Sequence, residues 1–350
     1  MYDVIIVGAS FAGLAVANQL RGYHTLLIDR KLPGTGQTSA CGTILQVLRY
    51  WGLLDTIKQT HDQIRLHTPR GDYTFPSQYP WCTFDYQYFC EALYERSQAE
   101  FLQAVVQGTQ GEIVYTSLGE LRASCIVDAS GWRSVLTGSL SPVSEETRKM
   151  NFGIETIVQA PEDHGFDSNS LHFWYDPDIL SRGVGWIFPR GKTASLGVAS
   201  YSGATHLKNS LDRLGARFDL DSGGLHGTYF PYALRSTKFG RVFVVGDAAG
   251  MCIGLTGEGI RPALFFGEAC GRIIHRFLEG AITIQGALEE YTAFVNKHRP
   301  FFLIFSTLQG LLIRLPVKWI DEIAVFIGHE PILHWTLDQY WSLTAAWDNL

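Results

Sequence analysis

The stretch 2-YDVIIVGASFAGLAVANQLRGYHTLLID-29 decides the fold. "YDVIIVG" is a short apolar run rich in β-branched residues, which predicts a buried parallel strand. "FAGLAVANQLRG" places small and apolar residues at helical spacing and ends on Gly22, a helix stop. "HTLLID" reads as a second strand ending in Asp29. The three form a βαβ unit. Its turn, "VGASFAG", is one residue short of two motifs: Ser10 stands where a dinucleotide loop has its middle glycine, and Ala12 stands where a nucleophile elbow has its last. In the first reading Gly8 permits the tight turn, position 10 faces a pyrophosphate and Gly13 lets the helix approach the strand. Asp29, sixteen residues beyond Gly13, is placed to accept hydrogen bonds from a ribose. The nucleophile reading needs a His and an acid in partner contexts, and none of the 11 histidines stands in one.

Composition narrows the class. Hydrophobic residues make up 46% of 350 and charged residues 18%, enough for a packed core and too apolar for a disordered chain. The net charge of −6 argues against a broad nucleic-acid surface. The 6 cysteines are scattered without a C-x-x-C pair, so no metal site or disulfide framework is expected, and a reducing, cytoplasmic setting fits. Met1 runs straight into a strand, with no signal-peptide pattern.

Two later stretches carry cofactor chemistry. "LRASCIVDASGWRSVL" (121–136) is a strand ending in a Gly-containing turn, preceded by short strands "AVVQGT" and "EIVYTS" at meander spacing. "RVFVVGDAAGMCIGLTGEGIRPALFFGEACGRII" (241–274) is more specific. A buried strand delivers Asp247, suited to a ribityl hydroxyl. A Gly-rich loop and a helix from about Ile260 then offer backbone N–H groups and a positive dipole to a phosphate and to a flavin's pyrimidine end.

Taken together, "VGASFAG" with Asp29, "DASGWRS" and "VGDAAGMCIGLTGEGI" resemble the FAD-dependent oxidoreductases of the para-hydroxybenzoate hydroxylase fold over most of residues 1–275. "GVGWIFPRGKTASLGVA" (183–199) resembles the signature of geranylgeranyl reductases within that fold. Val184 stands where the signature has Tyr, Ala199 where a final Gly is usual, and Arg261-Pro262 opens the helix after GEGI unusually. The resemblance implies an α/β protein: a Rossmann-like FAD-binding domain (1–60, 91–150, 236–290), an inserted antiparallel-sheet substrate domain (61–90, 151–235) and a C-terminal helical segment (291–350). It implies FAD held by Gly8, Ser10, Phe11, Ala12, Gly13, Asp29, Arg30, Cys41, Gly42, Asp247, Gly257, Gly259 and Ile260. It implies Trp186 and Phe188 against an apolar or lipid substrate, and Cys41, of the Cys-Gly element, as a proton donor. The implied activity is reduction of isoprenoid C=C bonds with an external donor, NAD(P)H or a reduced carrier, since no second G-x-G-x-x-G is present. A monooxygenase or halogenase on an apolar or aromatic substrate is the alternative, and a non-catalytic lipid-binding flavoprotein the third reading.

The segment after 291 raises one more expectation. "FFLIFSTLQGLLI" (301–313) is too short to span a bilayer. Residues 291–320 hold Lys297, Arg299, Arg314 and Lys318 and no acid, whereas 321–350 hold Asp321, Glu322, Glu330, Asp338 and Asp348 and no Lys or Arg. Docking of this helix on its own protein is the preferred reading, and a peripheral membrane contact the other.

Overall fold

A computed structural model describes residues 1–138, 150–160, 166–221, 223–316 and 318–329, and beyond these 332, 335, 337, 338, 340 and 343. The chain opens with β1 (Tyr2–Val7), α1 (Phe11–Asn18) and β2 (Thr25–Asp29). It continues with β3 (Gly42–Ile44), α2 (Leu45–Tyr50), β4 (Ile57–Thr68), β5 (Gly71–Phe84) and α3 (Tyr86–Ser97). Then come β6 (Glu100–Gln103), β7 (Val106–Gln110), β8 (Ile113–Thr116), β9 (Gly119–Asp128), β10 (Met150–Gln159), β11 (Ser170–Trp174), β12 (Gly183–Arg190) and β13 (Thr193–Ser200). The last part holds α4 (Lys208–Gly215), β14 (His226–Pro231), β15 (Lys238–Phe239), β16 (Val242–Val244), α5 (Ile260–Leu278), α6 (Ile284–Leu312) and α7 (Lys318–Ile327).

The chain divides into two compact units. The first comprises Met1–Gln37, Gln87–Lys149 and Phe230–Ser306. Its sheet has the order β15-β16-β9-β1-β2-β6, and the β7–β8 hairpin joins it through β9. Every pairing from β16 to β6 is parallel. The "YDVIIVG" reading thus holds: Val4, Ile5, Ile6 and Leu27 are buried, and each such side chain stabilises the unit by about 1.5–3 kcal/mol. The expected meander is β7–β8–β9.

Helices α1 and α5 meet through absent side chains. A Cβ at Gly267 would lie 2.7 Å from the Ala12 carbonyl oxygen and 2.8 Å from the Ala15 methyl. One turn on, a Cβ at Gly271 would lie 2.7 Å from the Val16 carbonyl oxygen. Glycine at i and i+4 on α5 and alanine on α1 give a backbone-to-backbone approach that larger residues would hold apart.

The second unit comprises Thr38–Tyr86, Met150–Tyr229 and Thr307–Leu350. Its eight-stranded sheet runs β14-β10-β13-β12-β11-β4-β5-β3. β10, β13, β12 and β11 are antiparallel neighbours, as their alternating sequences require, and β4–β5 is a hairpin that turns at Pro69-Arg70, between the paired Thr68 and Gly71. One face packs Ile154, Val158, Ile187, Leu196 and Val198 on Leu211 and Leu214 of α4.

The division differs from the sequence-based boundaries at several places, among them residues 230–235, which group with the first unit. Residues 38–60 belong to the second unit, because Gly42, Thr43 and Ile44 pair with Thr83, Cys82 and Trp81 of β5. Residues 87–90 belong to the first unit, as does α3 from Gln87 onward. Residues 291–350 are not one segment: 291–306 group with the first unit and 307–350 with the second.

Candidate functional site

In the first unit the opening turn and the "GDAAG" loop are built around three glycines that cannot be replaced without moving their neighbours. At Gly8 φ is +112°, and a Cβ there would lie 2.2 Å from the carbonyl oxygen of Ala129. At Gly13 a Cβ would lie 1.9 Å from the Gly8 carbonyl oxygen. At Gly246, with φ +66°, it would lie 2.7 Å from the Ala12 methyl. The opening turn, the "DASG" turn and the "GDAAG" loop are therefore in mutual contact, although up to 240 residues separate them in the chain.

Each expected cofactor residue can now be placed. The Asp29 carboxylate accepts the N–H groups of Ala9 at 2.9 Å and Lys31 at 3.1 Å, which fixes it beneath the opening turn with lone pairs remaining. Arg30 is exposed beside it. Ser10 is the N-cap of α1 in extended conformation and makes no side-chain cap, and α1 carries no acid in its first turn. Its N-terminal N–H groups and dipole thus retain their capacity for an anion. Phe11 turns inward onto Phe89 of α3, 5.5 Å between ring centroids, so its side chain is core. Gly259 is the N-cap of α5, Ile260 its first residue, and Gly257 has φ +68°. A Cβ at Gly259 would lie 3.6 Å from an Asp247 carboxylate oxygen. Burial pushes Asp247 up to about 6, and the Arg235 guanidinium opposes that shift.

Three features of this cradle were absent from the sequence reading. Arg235 donates to the carbonyl oxygen of Trp132 (3.3 Å) and to Ser134 Oγ (3.4 Å), leaving its buried Nε without a partner. A lone arginine in a loop gives no spacing signal. Asp128 is fully buried and accepts from Ser130, Leu136 and Thr137, which shapes the "DASG" turn. Arg261, the unusual helix opener, is 0% exposed and forks onto Glu258 with Nε–Oε1 2.9 Å and Nη2–Oε2 2.8 Å. It clamps the Gly-rich loop from inside.

The residues fit a dinucleotide-type cofactor. The backbone is packed too closely for side chains at Gly8 and Gly13, uncapped helix N-termini are present, and a buried guanidinium N–H lacks an acceptor that a phosphate or carbonyl oxygen would provide.

Cys41, Gly42, Trp186 and Phe188 all fall in the second unit. Cys41 is buried in the left-handed region, φ +53°, a conformation that costs a non-glycine residue about 1 kcal/mol or more. Its Sγ donates to the Ser39 carbonyl at 3.4 Å, and its own carbonyl accepts from Phe84 N–H at 3.1 Å. A Cβ at Gly42 would touch the Phe188 ring at 3.4 Å. Thr83 Oγ donates to the Pro189 carbonyl at 2.8 Å, which ties β5 to the "WIFP" strand. The Cys-Gly turn and that strand are thus neighbours.

Trp186 and Phe188 share the face opposite α4, with Phe173 5.1 Å from Phe188. The Trp186 ring lies flat on Gly197, where a Cβ would be 2.1 Å from its Cζ2. Its indole N–H donates to Glu155 at 2.9 Å, and Glu155, 4% exposed, also lies 3.4 Å from His226 Nε2. Glu155 and His226 escaped the sequence reading because a single acid in an alternating strand normally marks the solvent face. Among the described residues no cluster of His, Cys, Asp or Glu could hold a metal ion.

No protein-family model matches the chain. The chain is 21% identical to digeranylgeranylglycerophospholipid reductase of Methanocaldococcus jannaschii, over 94% of this chain and 91% of that one. A solved structure described as geranylgeranyl bacteriochlorophyll reductase-like, from Thermoplasma acidophilum, superposes with TM-score 0.83 at 17% identity, covering 99% of this chain and 98% of that one. The flavin-dependent brominase Bmp2 superposes with TM-score 0.69 at 17% identity, covering 93% of each. The chain therefore has the α/β fold of the reductase-like protein and of the flavin-dependent brominase, and its sequence is similar to that of the named reductase along nearly its whole length.

Proposed function

We propose that the chain is an FAD-dependent oxidoreductase that saturates C=C bonds of an isoprenoid or similar lipid. The first unit holds FAD: the pyrophosphate at the N–H groups of residues 10–13, the ribose at Asp29, and the ribityl and ring end at Asp247, Arg235 and residues 257–260. The second unit is the substrate side. The observation that carries the reading is the contact of the Cys41-Gly42 turn with the Trp186–Pro189 strand. Both stretches, like the GEGI loop, resemble those of geranylgeranyl reductases. Full-length similarity to a named reductase supports the same choice.

Reduced flavin, when bound, supplies a hydride. The chain supplies the rest. Phe173, Trp186 and Phe188 give an apolar face on which a polyprenyl chain lies without desolvation cost. Glu155 fixes the tilt of Trp186. Cys41 gives its Sγ proton to the alkene carbon that does not take the hydride, and is reprotonated before the next turnover. An external two-electron donor, NAD(P)H or a reduced carrier, restores the flavin.

The test is anaerobic. Flavin-loaded protein is reduced and mixed with a geranylgeranyl lipid. Flavin reoxidation with a gain of two hydrogens per double bond is expected, with Cys41→Ser slowing it and leaving flavin content unchanged. If no polyprenyl lipid reoxidises the flavin, while oxygen yields a C4a-hydroperoxide absorbance and an oxygenated product, the monooxygenase reading replaces this one.

A further inference from the structure

The helix α7 is inside out. Asp321, 3% exposed, faces inward and accepts hydrogen bonds from Thr68 Oγ and, at 3.4 Å, from Tyr73. Ala324 is buried on the same side. At spacing i, i+4, i+7 the outer face instead carries Trp319, Ile323 and Phe326, which are 50%, 36% and 60% exposed. The last turns of α6 repeat the pattern, with Leu308 and Leu311 44% and 51% exposed around the buried Gln309. Gln309 explains why: its amide pairs with Asn151 at 2.8 Å, so here too the polar side chain is the inward one. A helix docked on its own protein would turn the other way, so the expected self-docking of this stretch does not describe its outer face.

Single exposed apolar residues need no explanation, but a helix and the last turns of the one before it that turn a polar side chain inward and apolar ones outward do. Charge says what covers them. Within a chain of net charge −6, residues 307–320 hold Arg314 and Lys318 and no acid, and Asp321 of α7 is turned inward. Arg314, exposed, lies in the link between the two stripes. Exposed Glu322 is offset by Arg70 at 4.0 Å. Among the described residues no helix is long and apolar enough to cross a membrane.

We propose that the end of α6 and α7 lie on an anionic lipid bilayer, with Leu308, Leu311, Trp319, Ile323 and Phe326 below the headgroups and Arg314 among them. This attachment does not depend on the reaction proposed above. The full-length, flavin-loaded protein is sedimented with phosphatidylcholine vesicles with and without phosphatidylglycerol. Binding to the anionic vesicles is expected. Trp319→Gln with Phe326→Gln lowers the partition coefficient at least about tenfold, and Arg314→Gln lowers it about fivefold on anionic vesicles only. Flavin content and far-UV circular dichroism stay at the wild-type level, and Phe326→Gln alone serves if the pair does not fold. Binding that the variants leave intact overturns the proposal. So does absence of vesicle binding at low salt. A wild-type dimer that the variants dissociate, without vesicle binding, assigns the stripe to a second copy of the chain instead.

Discussion

Glu258→Gln is the substitution with the most sharply bounded outcome. It keeps the shape of the side chain and an oxygen that accepts one of the two Arg261 hydrogen bonds. It removes the charge opposite a guanidinium that is 0% exposed. A buried charge left without its partner costs about 3–5 kcal/mol, whereas exchanging both members for apolar residues of similar volume is close to neutral. At about 2–4 °C per kcal/mol for a domain of 150–250 residues, the single substitution should lower the melting temperature of the first unit by about 6–20 °C. Glu258→Leu combined with Arg261→Met should recover most of that loss. Differential scanning calorimetry of flavin-stripped protein measures it without the added stability of ligand. A shift under 2 °C for Glu258→Gln would mean that the guanidinium is not confined as described. An apolar pair as unstable as the single variant would mean that packing, not the abandoned charge, sets the cost.

Gly13→Ala, whose Cβ would fall 1.9 Å from a carbonyl oxygen, should purify with less than a tenth of the wild-type flavin by absorbance, and normal loading would refute the cradle. Gly197→Ala drives the Trp186 ring off its seat and should raise the KM for a polyprenyl lipid several-fold with flavin content intact; an unchanged KM would remove Trp186 from the substrate face. Asp247, pushed up to about 6 by burial, favours the proton in the folded state, so its contribution is complete below pH 4 and lost as the pH rises through 6. Asp247→Asn should therefore stabilise the flavin-stripped protein at pH 7 and leave pH 4 unchanged in denaturant titrations. His61 and His172 have the opposite sign: burial lowers each to about 4, so their neutral forms support the fold above pH 6.5 and that support is lost as the pH falls toward 4. His172→Gln should flatten acid unfolding over pH 4–6.5, and an unchanged acid limb would exclude this histidine as its source.

Periodicity made most of the fold legible. The βαβ opening, the β7–β9 meander, the β4–β5 hairpin and the antiparallel run from β10 to β13 all follow from two- and 3.6-residue patterns. What escaped was set by pairing across long separations. β3 is a three-residue strand whose partner lies forty residues on, so residues 38–60 carry no local mark of their unit. β6, "EFLQ", begins three residues after α3 ends and carries no alternation of its own, and only its pairing with β2 makes it a strand. The cradle's glycines were readable because each has a steric reason in the turn. Arg235, Glu155 and the interior course of Arg261 were not, because sequence assigns charged residues to solvent until a partner is seen.

The interlocking of α1 with Gly267 and Gly271 also sets a timetable for synthesis. The opening turn is made first, but the loop and helix that complete it emerge some 240 residues later. At about 5–20 residues per second that is a delay of roughly 12–50 s. During it the strand "DVIIV" has β2 and then β9 as neighbours, while the small-residue face of α1 has nothing to close against. Cofactor loading therefore belongs to the finished chain, and truncation anywhere before residue 271 leaves a nascent polypeptide whose most apolar helix is still uncovered.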